Sequence, residues 1–119
     1  MRGAFQLGTQ RRFSDLTDGL SNTLLAGEKQ VPGTKHGVGW LDSAYYNGDY
    51  VTPSGRGLGI GNYLTTNPTD SRPWFGSRHT QVVLFLYGDG HVRPISEFTS
   101  RAVLDLLGNR AHGQVIPDY

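Results

Sequence analysis

A chain of 119 residues with 36% apolar content, 17 glycines and 6 prolines fits one small domain, able to close a single core but rich in turns and irregular backbone. Its formal charge of +1, with Arg preferred to Lys, gives no sign of the basic stripe of a nucleic-acid-binding surface, so nucleic acid is not an expected partner. The absence of cysteine removes disulfide scaffolds, thiolate zinc sites and thiol nucleophiles. No apolar run reaches the roughly 18–20 residues of a membrane span or supplies the core of an export signal.

In chain order, Phe13 to Lys29 reads FSDLTDGLSNTLLAGEK. Ser14 is placed to cap a short helical turn, and Asp18-Gly19 makes a turn that needs a positive φ at glycine. Ser21 and Asn22 carry short side chains suited to bonding the turn backbone, and the β-compatible run Thr23 to Glu28 predicts a strand. Residues 31–78 hold most of the Gly and Pro, with Trp40, Tyr45, Tyr46, Tyr50, Tyr63, Trp74 and Phe75 scattered among them. A strand is expected around Val38 to Tyr46, whereas the glycines of SGRGLGIGNY (54–63) argue for loop.

The strongest local signal is VVLFLYGDGHVRPIS at 82–96. A continuous apolar run, Asp89-Gly90 and a second apolar segment predict a β-hairpin with a two-residue turn. The missing polar alternation implies a first strand covered on both faces, and Pro94 places the second strand near an edge or makes it short. Phe98, Ala102, Val103, Leu106 and Leu107 recur at helical spacing, with Ser96 or Thr99 as cap and Gly108 as stop, which predicts a helix over 97–108. A short terminal strand is expected within 113–117. The fold class is therefore α+β: a small antiparallel sheet with long Gly/Pro-rich loops and one C-terminal helix. It forms one domain over 1–119 whose parts are 13–30, 31–78, 79–96 and 97–119.

Several residue sets invite chemical readings. His79, His91, Asp89 and Glu28 fall near predicted strand ends and are of metal-ligand or acid–base type, but HExxH, paired helical histidines and an EF-hand loop are all absent. Ser77, His79 and Asp89 contain the elements of a hydrolytic triad without the GxSxG nucleophile turn. Gly55-Arg56-Gly57-Leu58-Gly59-Ile60-Gly61 lacks the Lys-Ser/Thr of a phosphate loop. The central aromatic residues suit either sugar stacking or closure of a small core.

Two strings carry a family resemblance. His79 is followed by nine residues and then Asp89-Gly90, and Asp18-Gly19-Leu20-Ser21-Asn22-Thr23-Leu24-Leu25-Ala26-Gly27-Glu28 has the form DGxSNTLxxGE. With Phe75 and Ser77 before the histidine, and a closing segment bearing Leu104, Leu107, Arg110, Gly113 and Val115, the ordered set spans about residues 13–116. It resembles the C-terminal part of a bacterial prepilin-like family of unknown function whose members carry a prepilin-type processing segment. The resemblance implies a non-catalytic, extracytoplasmic or cell-surface head related to type II secretion pseudopilins or type IV pilins. Its implied partners are other prepilin-like or secretion-system subunits, or further copies of itself, with membrane contact only through an N-terminal helix.

Relatives carry an apolar helix ahead of the point where this sequence begins, so an apolar sheet face is expected unless the C-terminal helix and Gly-rich loops cover it. Asp89-Gly90 and His79, like Asp18, Gly19, Ser21, Asn22, Thr23 and Glu28, read first as structural braces. No cofactor is required. Pseudopilin heads can hold calcium, for which Asp42, Asn47 and Asp49 are possible ligands alongside His79 and Asp89. The rival reading is a binding module for carbohydrate or a divalent cation, and a hydrolase ranks third.

Overall fold

The computed structural model describes residues 3–6, 8–44, 54–59 and 61–119. The run beginning at Val82 forms β2 (Val82–Tyr87), which pairs antiparallel with β3 (Val92–Ser96) in the register Val83–Ile95, Phe85–Arg93 and Leu86–Val92. On its other side β2 pairs antiparallel with β1 (Leu24–Gly27), where a bulge between Leu24 and Ala26 shifts the register. The sheet order is β1-β2-β3, so two remote segments of sequence meet on one central strand. With helix α1 (Arg101–Leu107) and, among the described residues, three single 3₁₀ turns, the architecture is the expected small α+β fold.

One face of the sheet carries Leu24, Val83, Phe85, Tyr87 and Ile95, all buried. Val103, Leu104 and Leu107 of α1 close this core together with Leu58 and Leu64 from the glycine-rich loop region, and Phe75, Ile116 and Tyr119 pack at its margin. The opposite face is open. Ala26, Leu86, Val92 and Pro94 are exposed and share that face with half-buried Val82 and Leu84. The expectation that β2 is covered on both sides is thus corrected: its burial alternates along the strand. An uninterrupted apolar run specifies a strand without specifying that both its faces are packed. Pro94 faces Leu84 on the edge strand β3. Because Tyr87 N–H donates to His91 O, the alternation of an antiparallel ladder turns the Pro94 nitrogen away from β2, where no hydrogen bond is lost.

The hairpin loop is longer than a two-residue Asp-Gly turn. Gly90 N–H donates to Tyr87 O, Tyr87 N–H donates to His91 O, and Gly90 has φ +91°. This is a three-residue connection in which Gly90 supplies the left-handed residue after the turn.

Helix α1 starts at 101 rather than 97. Ser100 has extended backbone angles and its Oγ accepts from Val103 N–H, making it the cap. The preceding residues form a separate turn with Thr99 N–H on Ser96 O, which leaves Phe98 exposed. The expected strand from Val38 is instead a set of turns over 37–43, held by Leu41 N–H and Asp42 N–H on Val38 O and by Gly37 N–H on the Asp42 carboxylate. Tyr45 and Tyr46 lie outside the described residues. Ser14 falls inside the turn Phe13–Asp15, whose cap is Arg12. The terminal strand at 113–117 does not form either. Its start is pinned by a side chain, as His112 N–H and Gly113 N–H both donate to the Asp18 carboxylate at 2.6 and 2.8 Å.

Candidate functional site

The two sequence strings converge on opposite ends of the β1–β2 pair. At one end β1 gives way to Glu28, whose backbone N–H donates to Leu84 O at 3.2 Å. Its carboxylate then takes the place of a backbone carbonyl, accepting Leu84 N–H on Oε2 at 2.8 Å. The other oxygen, Oε1, accepts from His79 Nε2 at 3.1 Å. A carboxylate only accepts, so the Glu28 contact assigns the proton to Nε2. Glu28 and His79 are 34% and 54% exposed, so the ion pair itself adds little, and the stronger element is the charged acceptor on a ladder N–H.

Ser77 completes this end of the brace. It is buried; its Oγ donates to Val82 O at 2.5 Å and accepts His79 N–H at 3.0 Å. The serine hydroxyl is therefore consumed in orienting the chain into β2. Its neighbours need glycine: a Cβ on Gly27 would lie 2.4 Å from the Phe85 ring, and one on Gly76 would lie 2.4 Å from Thr65 O.

At the other end, the turn Leu20–Asn22 lies against the hairpin loop. Gly88 N–H donates to Thr23 O and Asp89 N–H to Leu20 O. A Cβ on Gly88 would meet Leu20 O at 2.8 Å. Gly19, at φ +96°, allows the turn, while Asn22 Nδ2 caps Asp18 O and Thr23 Oγ1 donates to Gly19 O. Ser21 is exposed and makes no side-chain hydrogen bond among the described residues. Asp89 turns back on its own loop, accepting the backbone N–H and the ring Nδ1 of His91. That backbone bond and then the ring hold its carboxyl below the ordinary carboxylate range. His91 also stacks on Tyr87, with centroids 4.2 Å apart.

This placement separates residues that the sequence left combinable. Ser77 and His79 precede β2 and Asp89 follows it, so a six-residue strand, about 20 Å of extended chain, lies between them. The hydrolytic triad and the His79–Asp89 cation site are not assembled. Asp42 is occupied by Gly37 N–H and lies 3.8 Å from Lys29 Nζ, whereas Asn47 and Asp49 lie outside the described residues. Among the described residues no three His, Asp or Glu side chains are grouped to hold a metal ion. No helix among them is long and apolar enough to cross a membrane.

An open cleft of about 600 Å³ flanks the Glu28–His79 pair and is lined also by Lys29, Gln30, His36 and Arg78. The aromatic reading changes more. Tyr63 and Trp74 meet edge-on at 5.6 Å, Arg72 covers the Trp74 ring at 3.5 Å, and Arg101 lies over Tyr63 at 5.6 Å. Arginines thus lie over one face of each of these two rings, while Trp40 is exposed and Tyr45, Tyr46 and Tyr50 lie outside the described residues. Arg72 is in turn anchored by buried Asp70, whose carboxyl it holds below the ordinary range.

A family model described as protein of unknown function (DUF1559) matches residues 1–101. The chain belongs to this family. No curated protein and no solved structure matches it. The matched span of the family includes both braces, Asp18 to Glu28 and Ser77 to Gly90, together with the whole sheet.

Gly27 stands in the first sequence string and Gly88 just before Asp89-Gly90, but their need for glycine comes from contacts with Phe85 and Leu20 across the fold, which the strings do not reveal. Sequence reasoning also missed that Asp18 reaches the chain's far end. The signal available for Gly88 was its position before Asp89-Gly90 in a GDG string.

Proposed function

We propose that the chain is a non-catalytic structural head that works by protein–protein contact, extracytoplasmic and assembling with prepilin-like or secretion-system subunits. The observation that carries this reading is the contrast between its two kinds of surface. The polar side chains of the family strings that bond at all are spent on internal bonds: Glu28 on Leu84 and His79, Ser77 on Val82, Asp89 on His91, Asp18 on residues 112 and 113. The outer sheet face, by contrast, presents Leu86 at 36%, Val92 at 61% and exposed Pro94 and Ala26 to solvent. A contiguous apolar face of this kind favours a protein partner over a polar small ligand. The relation to pseudopilins rests on the two sequence strings.

Concentration-dependent association of the chain, followed by analytical ultracentrifugation alone and with candidate prepilin-like subunits, tests the reading. Val92→Asp and Leu86→Asp should each weaken association at least tenfold with little change in thermal stability. Association unchanged in both variants would refute a contact through this face.

A further inference from the structure

Where Ala4 and the glycine-rich loop approach β1 lies a pocket of about 240 Å³. Its walls are Ala4, Leu24, Leu58, Phe75 and Phe85, and its one charged lining residue is Arg56. Arg56 is half-buried, with Nη1 on Gly55 O at 3.1 Å and Nη2 on Leu41 O at 3.4 Å. Its Nε–H is buried with no acceptor, and no carboxylate pairs with it among the described residues. Burial pushes the guanidinium pKa down.

A guanidinium held against apolar walls without a counter-ion is costly, because two neutral carbonyls do not replace the water or carboxylate it has lost. Elsewhere the same chain provides such a partner: Arg72 has the carboxylate of Asp70 on both Nε and Nη2. We infer that the pocket bounded by Arg56 and Leu58 is a binding site for a small apolar carboxylate, the acid pairing with the guanidinium and the hydrocarbon body lying among Leu24, Phe75 and Phe85. The space suits a ligand on the order of ten non-hydrogen atoms. Apolar walls with one cation favour such an acid over a sugar, whose hydroxyls would go unpaired there. Ala26 borders both this pocket and the outer sheet face, but Leu86 and Val92, whose substitution tests the assembly reading, do not line the pocket, so the two readings are tested separately.

Three probes decide the matter by ¹⁵N-correlation NMR titration of the full chain: benzoate, benzyl alcohol and acetate. Benzoate should bind saturably, shifting amides at Leu24, Leu58 and Phe85, and should bind at least tenfold more tightly than benzyl alcohol, which lacks the charge, or acetate, which lacks the body. Arg56→Gln should remove that advantage over benzyl alcohol, and Ala4→Leu should weaken benzoate by filling the pocket while leaving Arg56 in place. Unchanged spectral dispersion and thermal midpoint verify that each variant is folded. No saturable benzoate shift, equal shifts with acetate, or benzoate binding undiminished in Arg56→Gln would each overturn the inference.

Discussion

Truncating Glu28 tests which part of the brace holds the sheet. In Glu28→Ala, Leu84 N–H loses a charged acceptor at 2.8 Å and His79 loses its partner at 3.1 Å. A hydrogen bond to a charged group contributes about 1.5–3 kcal/mol, and a half-exposed ion pair about 0–1 kcal/mol. The backbone bond therefore dominates, and Glu28→Ala should cost about 2 kcal/mol, or a fall in Tm of about 8 °C for a domain of this size. His79→Ala removes only the weaker contact and should cost about 0.5 kcal/mol. Glu28→Gln retains an oxygen for Leu84 and should fall between them. Urea and thermal denaturation followed by circular dichroism, combined in a double-mutant cycle, should give a Glu28–His79 coupling below about 1 kcal/mol. If His79→Ala proves as costly as Glu28→Ala, with coupling well above that value, the ion pair rather than the ladder bond is the element that matters.

Gly27→Ala forces a methyl group to within 2.4 Å of the Phe85 ring and should destabilise by about 1–3 kcal/mol, with partial recovery in the double variant carrying Phe85→Leu; equal loss in both backgrounds would disprove the clash. Asp18→Ala should release the segment it pins through the 112 and 113 amides, seen as faster hydrogen exchange at Gly113 while β2 amides keep their protection. Asp70, whose carboxyl pKa is lowered first by the Arg72 side chain, stabilises the fold fully above the ordinary carboxylate range. That stability disappears as pH falls through the lowered folded value. The Tm difference between wild type and Asp70→Asn should accordingly be largest near neutrality and vanish in strong acid; a difference independent of pH would refute the charge-based account.

Local pattern carried a good part of the fold. The run at 82–87, Asp89-Gly90 and the segment from Val92 were legible as a hairpin because apolar β-formers flanking a glycine turn leave few alternatives. The 24–27 strand and the C-terminal helix were legible for similar reasons. Irregular segments were less so. Ser100 as helix cap and the turns at 37–43 rest on local bonds that compete closely with the expected cap and strand, whereas the unpaired C-terminal segment depends on Asp18, 94 residues from His112, a partner that no local pattern reveals.

The sequence by itself determined the strands at 24–27, 82–87 and 92–96, the left-handed glycines at 19 and 90, and the polar residues available for bracing, since each follows from backbone sterics or side-chain chemistry within a few positions. Only the tertiary structure decided what those residues meet. It set Glu28 beside His79, kept Asp89 a strand's length from both, left one sheet face open, and placed Arg56, with no counter-ion among the described residues, beside an apolar pocket. Those outcomes depend on strand register and on the approach of distant loops, which are collective properties of packing.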